Sequence, residues 1–219
     1  MRILGGEKKG LVLTTRHGAG TRPLTARVKA SLFEILSGCL PGACFYDCFA
    51  GNGAVGIEGL SRGAIRAVFI EKNPACVRII RENLKRCGYS DRAAIFQNDV
   101  LRMIPALSKI VDAPELLRRS MAEEISIIFL GPPYDSGLAH ESLLLIGQNT
   151  PLSQNALVIA EVRKKEPLLT RYGSLSLTRD KIYGDTRLAF YEPLSYEMCM
   201  QVKPTHTSER KQLKQIFPQ

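Results

Sequence analysis

The sequence contains no apolar stretch able to cross a bilayer. Its apolar runs, Ile127-Ile128-Phe129-Leu130 among them, fall far short of the ~18–20 residues that a spanning helix needs. No secretory leader is visible either. Met1-Arg2-Ile3-Leu4-Gly5-Gly6-Glu7-Lys8-Lys9 places charges and glycines where an apolar stretch would have to be. The six cysteines (Cys39, Cys44, Cys48, Cys76, Cys87 and Cys199) form no Cys-x-x-Cys pair, and no His-rich set accompanies them, which argues against a zinc site or any other metal. Without a leader they read as reduced thiols of a soluble cytoplasmic protein. Cys44 and Cys48 lie on an apolar segment and read as small buried hydrophobes. Acidic residues are scarce beside basic ones: 21 Asp and Glu against 30 Lys and Arg leave a net charge of +9 and a pI near 9.4. Such a balance suggests a polyanionic partner.

What remains is ordinary globular material. The 219 residues are 45% hydrophobic and 23% charged, enough for one domain with a core and incompatible with disorder or low-complexity architecture. The basic excess is uneven. Residues 1–30 carry seven Lys and Arg, Arg16, Arg22 and Arg27 among them, against Glu7 alone, and residues 203–219 carry four against Glu209. Both ends are candidates for phosphate contact; a merely solvated basic surface is the competing reading.

Residues 1–14 hold two short apolar stretches around Gly5-Gly6 and Gly10, a hairpin pattern. Ala26–Leu36 places Val28, Leu32, Phe33, Ile35 and Leu36 at helical spacing. From residue 43 onward strands alternate with helices. Strands are expected near 44–49, 67–71, 93–97, 125–130 and 156–162, with helices near 54–62, 74–87, 103–110 or 114–123, and 138–147. The near-continuous apolar strands indicate an α/β fold with a mostly parallel sheet covered on both faces. Two further strands, near 175–183 and 187–192, flank Gly184-Asp185 and read as an antiparallel pair closing the sheet. The division expected is a hairpin and helix extension over 1–40, a catalytic domain over 41–200, and a polar basic tail over 201–219.

The strongest local signal is Asp47-Cys48-Phe49-Ala50-Gly51-Asn52-Gly53-Ala54-Val55-Gly56. Its glycines follow a strand and precede a helix in the dinucleotide pattern, and Glu71 lies twenty residues past Gly51 at the end of the next strand. Glu71 there could bind two ribose hydroxyls, each charge-assisted bond contributing roughly 1.5–3 kcal/mol. That pattern alone would permit NAD. Two features favour S-adenosylmethionine instead. Asp47 at the strand tip would repel a pyrophosphate but suits a ligand bearing an ammonium group. The fourth strand ends in Leu130-Gly131-Pro132-Pro133-Tyr134, where prolines fix the direction of the preceding carbonyls and an aromatic offers a face to a planar base.

With these residues in view the sequence resembles the RsmD-like 16S rRNA (guanine-N2) methyltransferases, within the class I S-adenosylmethionine-dependent (Rossmann-like) fold. The resemblance runs from Met1 to about Pro193. Besides the glycine loop it rests on Met1–Gly6, Arg22-Pro23-Leu24-Thr25-Ala26-Arg27-Val28, Glu58 with Leu60–Ala64, Phe69–Lys72, and Tyr183-Gly184-Asp185-Thr186 with Tyr191. It implies a seven-stranded, mostly parallel sheet and a monomer that modifies the small ribosomal subunit. Asp47, Gly51 and Gly53 would line the methionine end of S-adenosyl-L-methionine, Glu71 its ribose and Asp99 its adenine. Gly131, Pro132, Pro133 and Tyr134 would form the catalytic segment, and Arg16, Arg22 and Arg27 would approach RNA. The plain alternative for Asp99 is a turn-forming residue.

The chain departs from the family pattern at Gly131, where Asp or Asn usually precedes Pro-Pro-Tyr, and at Ala26 and Ala30, where acidic residues are common. The loss at Gly131 removes a side-chain acceptor for the target amine and leaves the Pro132 carbonyl. On that reasoning Gly131→Asp is expected to speed methylation. Two rivals stay open: an inactive RNA-binding relative, and an N6-adenine methyltransferase.

Overall fold

The computed structural model describes residues 1–15, 24–106, 125–149 and 152–194. Arg16, Arg22, Cys199 and the basic tail lie outside the described residues, as does most of the segment where a helix is expected at 103–110 or 114–123. Within them the chain runs α1 (Ala26–Ile35), β1 (Cys44–Cys48), α2 (Ala54–Ser61), β2 (Arg66–Ile70), α3 (Pro74–Cys87), β3 (Ala93–Phe96) and α4 (Val100–Met103). It continues through β4 (Ile125–Leu130), α5 (Leu138–Asn149), β5 (Leu152–Arg163), β6 (Arg171–Tyr172), β7 (Leu175–Tyr183) and β8 (Thr186–Pro193). All the strands form one sheet in the order β3-β2-β1-β4-β5-β8-β7-β6. The first five are parallel, and β8, β7 and β6 are antiparallel.

The expected count of seven strands becomes eight, because two residues, Arg171 and Tyr172, pair with Ser176 and Leu175 at the edge. So short a strand has no periodicity for a sequence to display. Helix α4 also begins three residues earlier than expected, since the Asp99 side chain accepts from the Leu101 N–H (2.9 Å) and caps it. The closing hairpin turns at Gly184-Asp185, in keeping with its composition.

Alternate side chains of each strand feed opposite faces. Tyr46, Val68, Ile128 and Val158 pack with Val100 and Met103 of the α4 side and with Leu143 and Ile146 of α5. On the other face Phe45, Ile127, Phe129 and Ile159 meet Val28, Leu32 and Phe33 of α1, and Phe69 meets Ile57 and Leu60 of α2 and Ile80 of α3. Cys44 and Cys48 are buried in the first of these clusters.

The N-terminal residues bind tightly to this frame. Met1–Leu13 folds back on itself through an Arg2–Val12 bridge, and Ile3 and Leu13 are buried against α2 and α3. Glycine is required at Gly6: a Cβ there would stand 1.8 Å from the Ser61 carbonyl oxygen. Asn83 of α3, wholly buried, accepts from the Thr14 N–H (2.8 Å) and donates to the carbonyls of Thr14 and Asn52 (3.0 Å each). One amide thus joins the N-terminal segment to the loop after β1.

Candidate functional site

Strand order reverses between β1 and β4, the point where parallel α/β sheets open a crevice at their carboxyl ends. A cavity of about 290 Å³ lies there, and strand order sets out its acidic lining in a row: Asp99 beyond β3, Glu71 beyond β2, Asp47 on β1, and Glu161 on β5. Gly51, Asn52, Phe129, Gly131 and Pro133 complete much of the wall, with Met1, Thr15 and Leu24 reaching it from the N-terminal segment.

The loop after β1 is shaped by close approach. A Cβ on Gly56 would meet the Phe69 ring at 2.5 Å and the Asp47 Cβ at 3.1 Å, so only glycine lets α2 start against the sheet. Phe49 holds a left-handed backbone (φ 62°), and Asp135, just past Pro-Pro-Tyr, does too (φ 57°). Both are non-glycine strain points in the segments that follow β1 and β4, and Phe49 lines the cavity.

Asp47 is 1% exposed, and its Oδ2 accepts the Gly56 N–H at 2.8 Å. Burial pushes its pKa up to about 8 against the pull of that hydrogen bond, with the charges of Glu71 and Glu161 adding to the rise. Glu71 anchors the loop itself: Oε2 accepts from the Gly51 N–H and Oε1 from the Asn73 N–H, both at 2.8 Å. A carboxylate oxygen has a second lone pair, so the clamp leaves acceptor capacity toward the cavity. Asp99 caps α4 and also lines the cavity.

After β4, Gly131 and Pro133 line the cavity, whereas Pro132 is buried and Tyr134 half-buried, and neither lines it. Tyr134 is held from three sides. Its hydroxyl donates to Glu161 Oε1 (2.9 Å) and shares a hydrogen bond with Thr186 (3.0 Å), and the Arg163 guanidinium lies 5.4 Å from its ring centroid. The Tyr183–Thr186 motif is therefore tied to the Pro-Pro-Tyr segment through Thr186. Arg27 is exposed on the first turn of α1. Among the described residues no cluster of three metal-ligating side chains occurs, and no helix is long and apolar enough to cross a membrane. The site residues that sequence reasoning missed are Glu161, Phe49 and Phe129. The sole sequence signal for Glu161 is a lone carboxylate inside an apolar strand.

The sheet order, the glycine loop at the switch point and the carboxylates along its edge define the fold of the class I S-adenosylmethionine-dependent methyltransferases. The chain belongs to the family described as conserved hypothetical protein 95, the RsmD-like proteins, whose model matches residues 1–192. It is 32% identical over 192 residues to "Putative rRNA methyltransferase YlbH" of Bacillus subtilis, covering 88% of this chain and 98% of that one. To the ribosomal RNA small subunit methyltransferase D of Escherichia coli K12 it is 31% identical over 192 residues, covering 88% and 89%. The solved structure of "Putative methyltransferase yhhF from Escherichia coli" superposes with a TM-score of 0.73 at 28% identity, covering 89% of this chain and 98% of that one.

Proposed function

We propose that the protein methylates the exocyclic N2 of a guanine in 16S rRNA of the small ribosomal subunit, with S-adenosyl-L-methionine as donor. One observation carries this reading: a single cavity has Asp47, Glu71 and Asp99 on its β1–β3 side and Gly131 and Pro133 on its β4 side, in a member of this family. The residues suit the cofactor. Asp47 is a buried carboxylate held near its neutral form, and a methionine ammonium is the countercharge that lets it ionise. Glu71 would meet the ribose hydroxyls, Asp99 the adenine amine and Gly51 the methionine end, all three from the cavity wall. Gly53, expected beside Gly51, does not line the cavity, and a Cβ there would instead meet Ile80 and Phe69 of the core (3.2 and 3.3 Å).

When bound, the cofactor supplies a methyl group made electrophilic by its sulfonium charge. The chain's own groups prepare the acceptor. The guanine amine is a poor nucleophile because its lone pair is delocalised into the ring. The Pro132 carbonyl accepts one of its N–H bonds, which localises the pair, and the proline-fixed backbone sets the approach in line. The base must leave its stack to enter, and Tyr134, which does not itself line the cavity, braces Glu161, which does.

The test is incubation with labelled cofactor and unmethylated small subunits, followed by mapping of the modified nucleotide. One N2-methylguanine is expected. Label on an adenine N6, or no label with intact cofactor binding, overturns the reading.

RNA phosphates would be met from two sides. Arg16, Arg22 and Arg27 of the N-terminal block would supply one set of contacts, of which Arg27 is exposed on α1. The exposed run Arg163-Lys164-Lys165 approaches from the end of β5, next to Tyr134. Changing Lys164 and Lys165 together to Ala should weaken RNA binding and flatten its salt dependence, by roughly one unit of log–log slope for each phosphate no longer neutralised. Filter binding across a salt series checks this, and an unchanged slope removes the run from the interface.

A further inference from the structure

Gly131 lacks the side chain that this family usually places before Pro-Pro-Tyr, yet its surroundings are not short of a carboxylate. A Cβ on Gly131 would stand 3.7 Å from Glu161 Oε2. Glu161 comes from the neighbouring strand: Phe129 pairs with Asp47 on one side and with Ile159 on the other, so Glu161, two residues past Ile159, projects to the same face as Asp47. It is 7% exposed and lines the cavity. Its two oxygens are distinguished. Oε1 is taken by the Tyr134 hydroxyl, while Oε2 is the one beside Gly131.

We propose that Glu161 is the substrate-side carboxylate of this active site, accepting an N–H of the target amine in place of the side chain absent at Gly131. The inference rests on the methyl-transfer reading above and adds a catalytic residue to it. In the step, the amine lone pair forms the new C–N bond while the methyl C–S bond breaks and its electrons stay on sulfur. The N–H proton that Oε2 holds then passes to the Glu161 carboxylate and later to water. Burial pushes this carboxyl up to about 7, against the Tyr134 hydrogen bond that lowers it, which suits a group that takes up a proton near neutrality. The ionisable groups that act on it are Tyr134, after β4, and Asp47, on β1; β8 contributes only the Thr186 hydroxyl through Tyr134.

On this proposal the expectation that Gly131→Asp speeds the reaction is reversed. Its Cβ would crowd the Phe129 ring at 2.9 Å and set a second carboxylate against Glu161. In the wild-type background Gly131→Asp should therefore slow methylation.

The test compares wild type, Glu161→Gln, Gly131→Asp and the double variant in single-turnover methylation of small subunits from pH 5.5 to 9. Cofactor affinity is measured separately by calorimetry. Glu161→Gln keeps the acceptor for Tyr134 and should fold. It should lose roughly 10²–10³-fold in rate, lose the acid limb near pH 7, and keep cofactor affinity within about twofold; the double variant should recover part of the rate. A Glu161→Gln rate within threefold of wild type at every pH overturns the inference and leaves the methyltransferase reading standing. An equal loss of cofactor affinity also overturns it, by assigning Glu161 to the cofactor. Wild type that binds cofactor and methylates no guanine overturns the parent reading, and the inference with it, before any variant is compared.

Discussion

Glu58→Ala should cost the fold about 3–5 kcal/mol, the range for breaking a buried ion pair by removing one partner. Glu58 is 0% exposed and Lys29 1%. Glu58 Oε2 meets the Lys29 Nζ at 2.8 Å, and Oε1 meets the Arg62 Nε at 2.8 Å. The same carboxylate accepts the N–H groups of Leu4 (2.9 Å to Oε2) and Gly5 (2.8 Å to Oε1), and Lys29 also donates to the Arg2 carbonyl (2.9 Å). One anion therefore joins α1, α2 and the N-terminal segment. Its removal strands a buried ammonium and two main-chain donors. Burial works to raise the Glu58 pKa, but the Lys29, Leu4 and Arg62 hydrogen bonds outweigh it and hold the carboxyl below its ordinary value. The contribution is thus present above pH ~4.5 and lost as the pH falls through the lowered value. Denaturant melts across pH 3 to 7 check both points, and a variant as stable as wild type at pH 7 would show that the pair contributes nothing net. Because Met1 and Thr15 line the cavity, cofactor affinity should fall along with stability.

Asp47→Asn should have the opposite effects on stability and on function. The amide oxygen can still accept the Gly56 N–H, while the burden of a buried negative charge disappears. A carboxyl raised to about 8 in the fold from ~3.9 in the unfolded chain contributes stability that is complete below pH ~4 and gone above the folded value. The variant escapes that loss, so the free protein should melt higher than wild type at pH 9. Cofactor affinity should drop roughly 10–100-fold, the equivalent of one charge-assisted hydrogen bond of about 1.5–3 kcal/mol. In the wild type, an ammonium bound to Asp47 favours the ionised form, so binding below pH 8 releases a proton. Affinity should then weaken by up to about tenfold per unit as the pH falls from 8, a dependence that Asp47→Asn abolishes. Calorimetry in buffers of different ionisation enthalpy measures the proton directly. A wild-type affinity that does not vary with pH would remove Asp47 as the counterion.

Local demands were readable because they leave chemical marks at adjacent positions. The glycines after β1, the carboxylate at the end of β2, the Pro74 and Gly88 that bracket α3 and the Gly184-Asp185 turn each answer a backbone requirement met within a few residues. The apolar runs of β1, β4 and β5 likewise declared a sheet buried on both faces, because every position of such a strand must avoid water. Glu161 carried no such mark. In Val158-Ile159-Ala160-Glu161-Val162 it reads as one polar residue in a strand, and it acquires meaning only when β5 pairs with β4 and delivers it to a glycine thirty residues earlier. Tyr134 read as a stacking face, whereas the fold binds its hydroxyl to Glu161 and Thr186.

By itself, then, the sequence determined the α/β class, the position of the glycine loop and the carboxylates Asp47, Glu71 and Asp99 that line the cavity beside it, because each is specified by its neighbours in the chain. The tertiary structure alone decided that Glu58 and Lys29 are a buried pair and that Asp47 is held near its neutral form. It alone decided, too, that the carboxylate missing at Gly131 has a counterpart on the next strand. Burial and charge–charge distance are properties of packed elements, and no spacing along one chain encodes them.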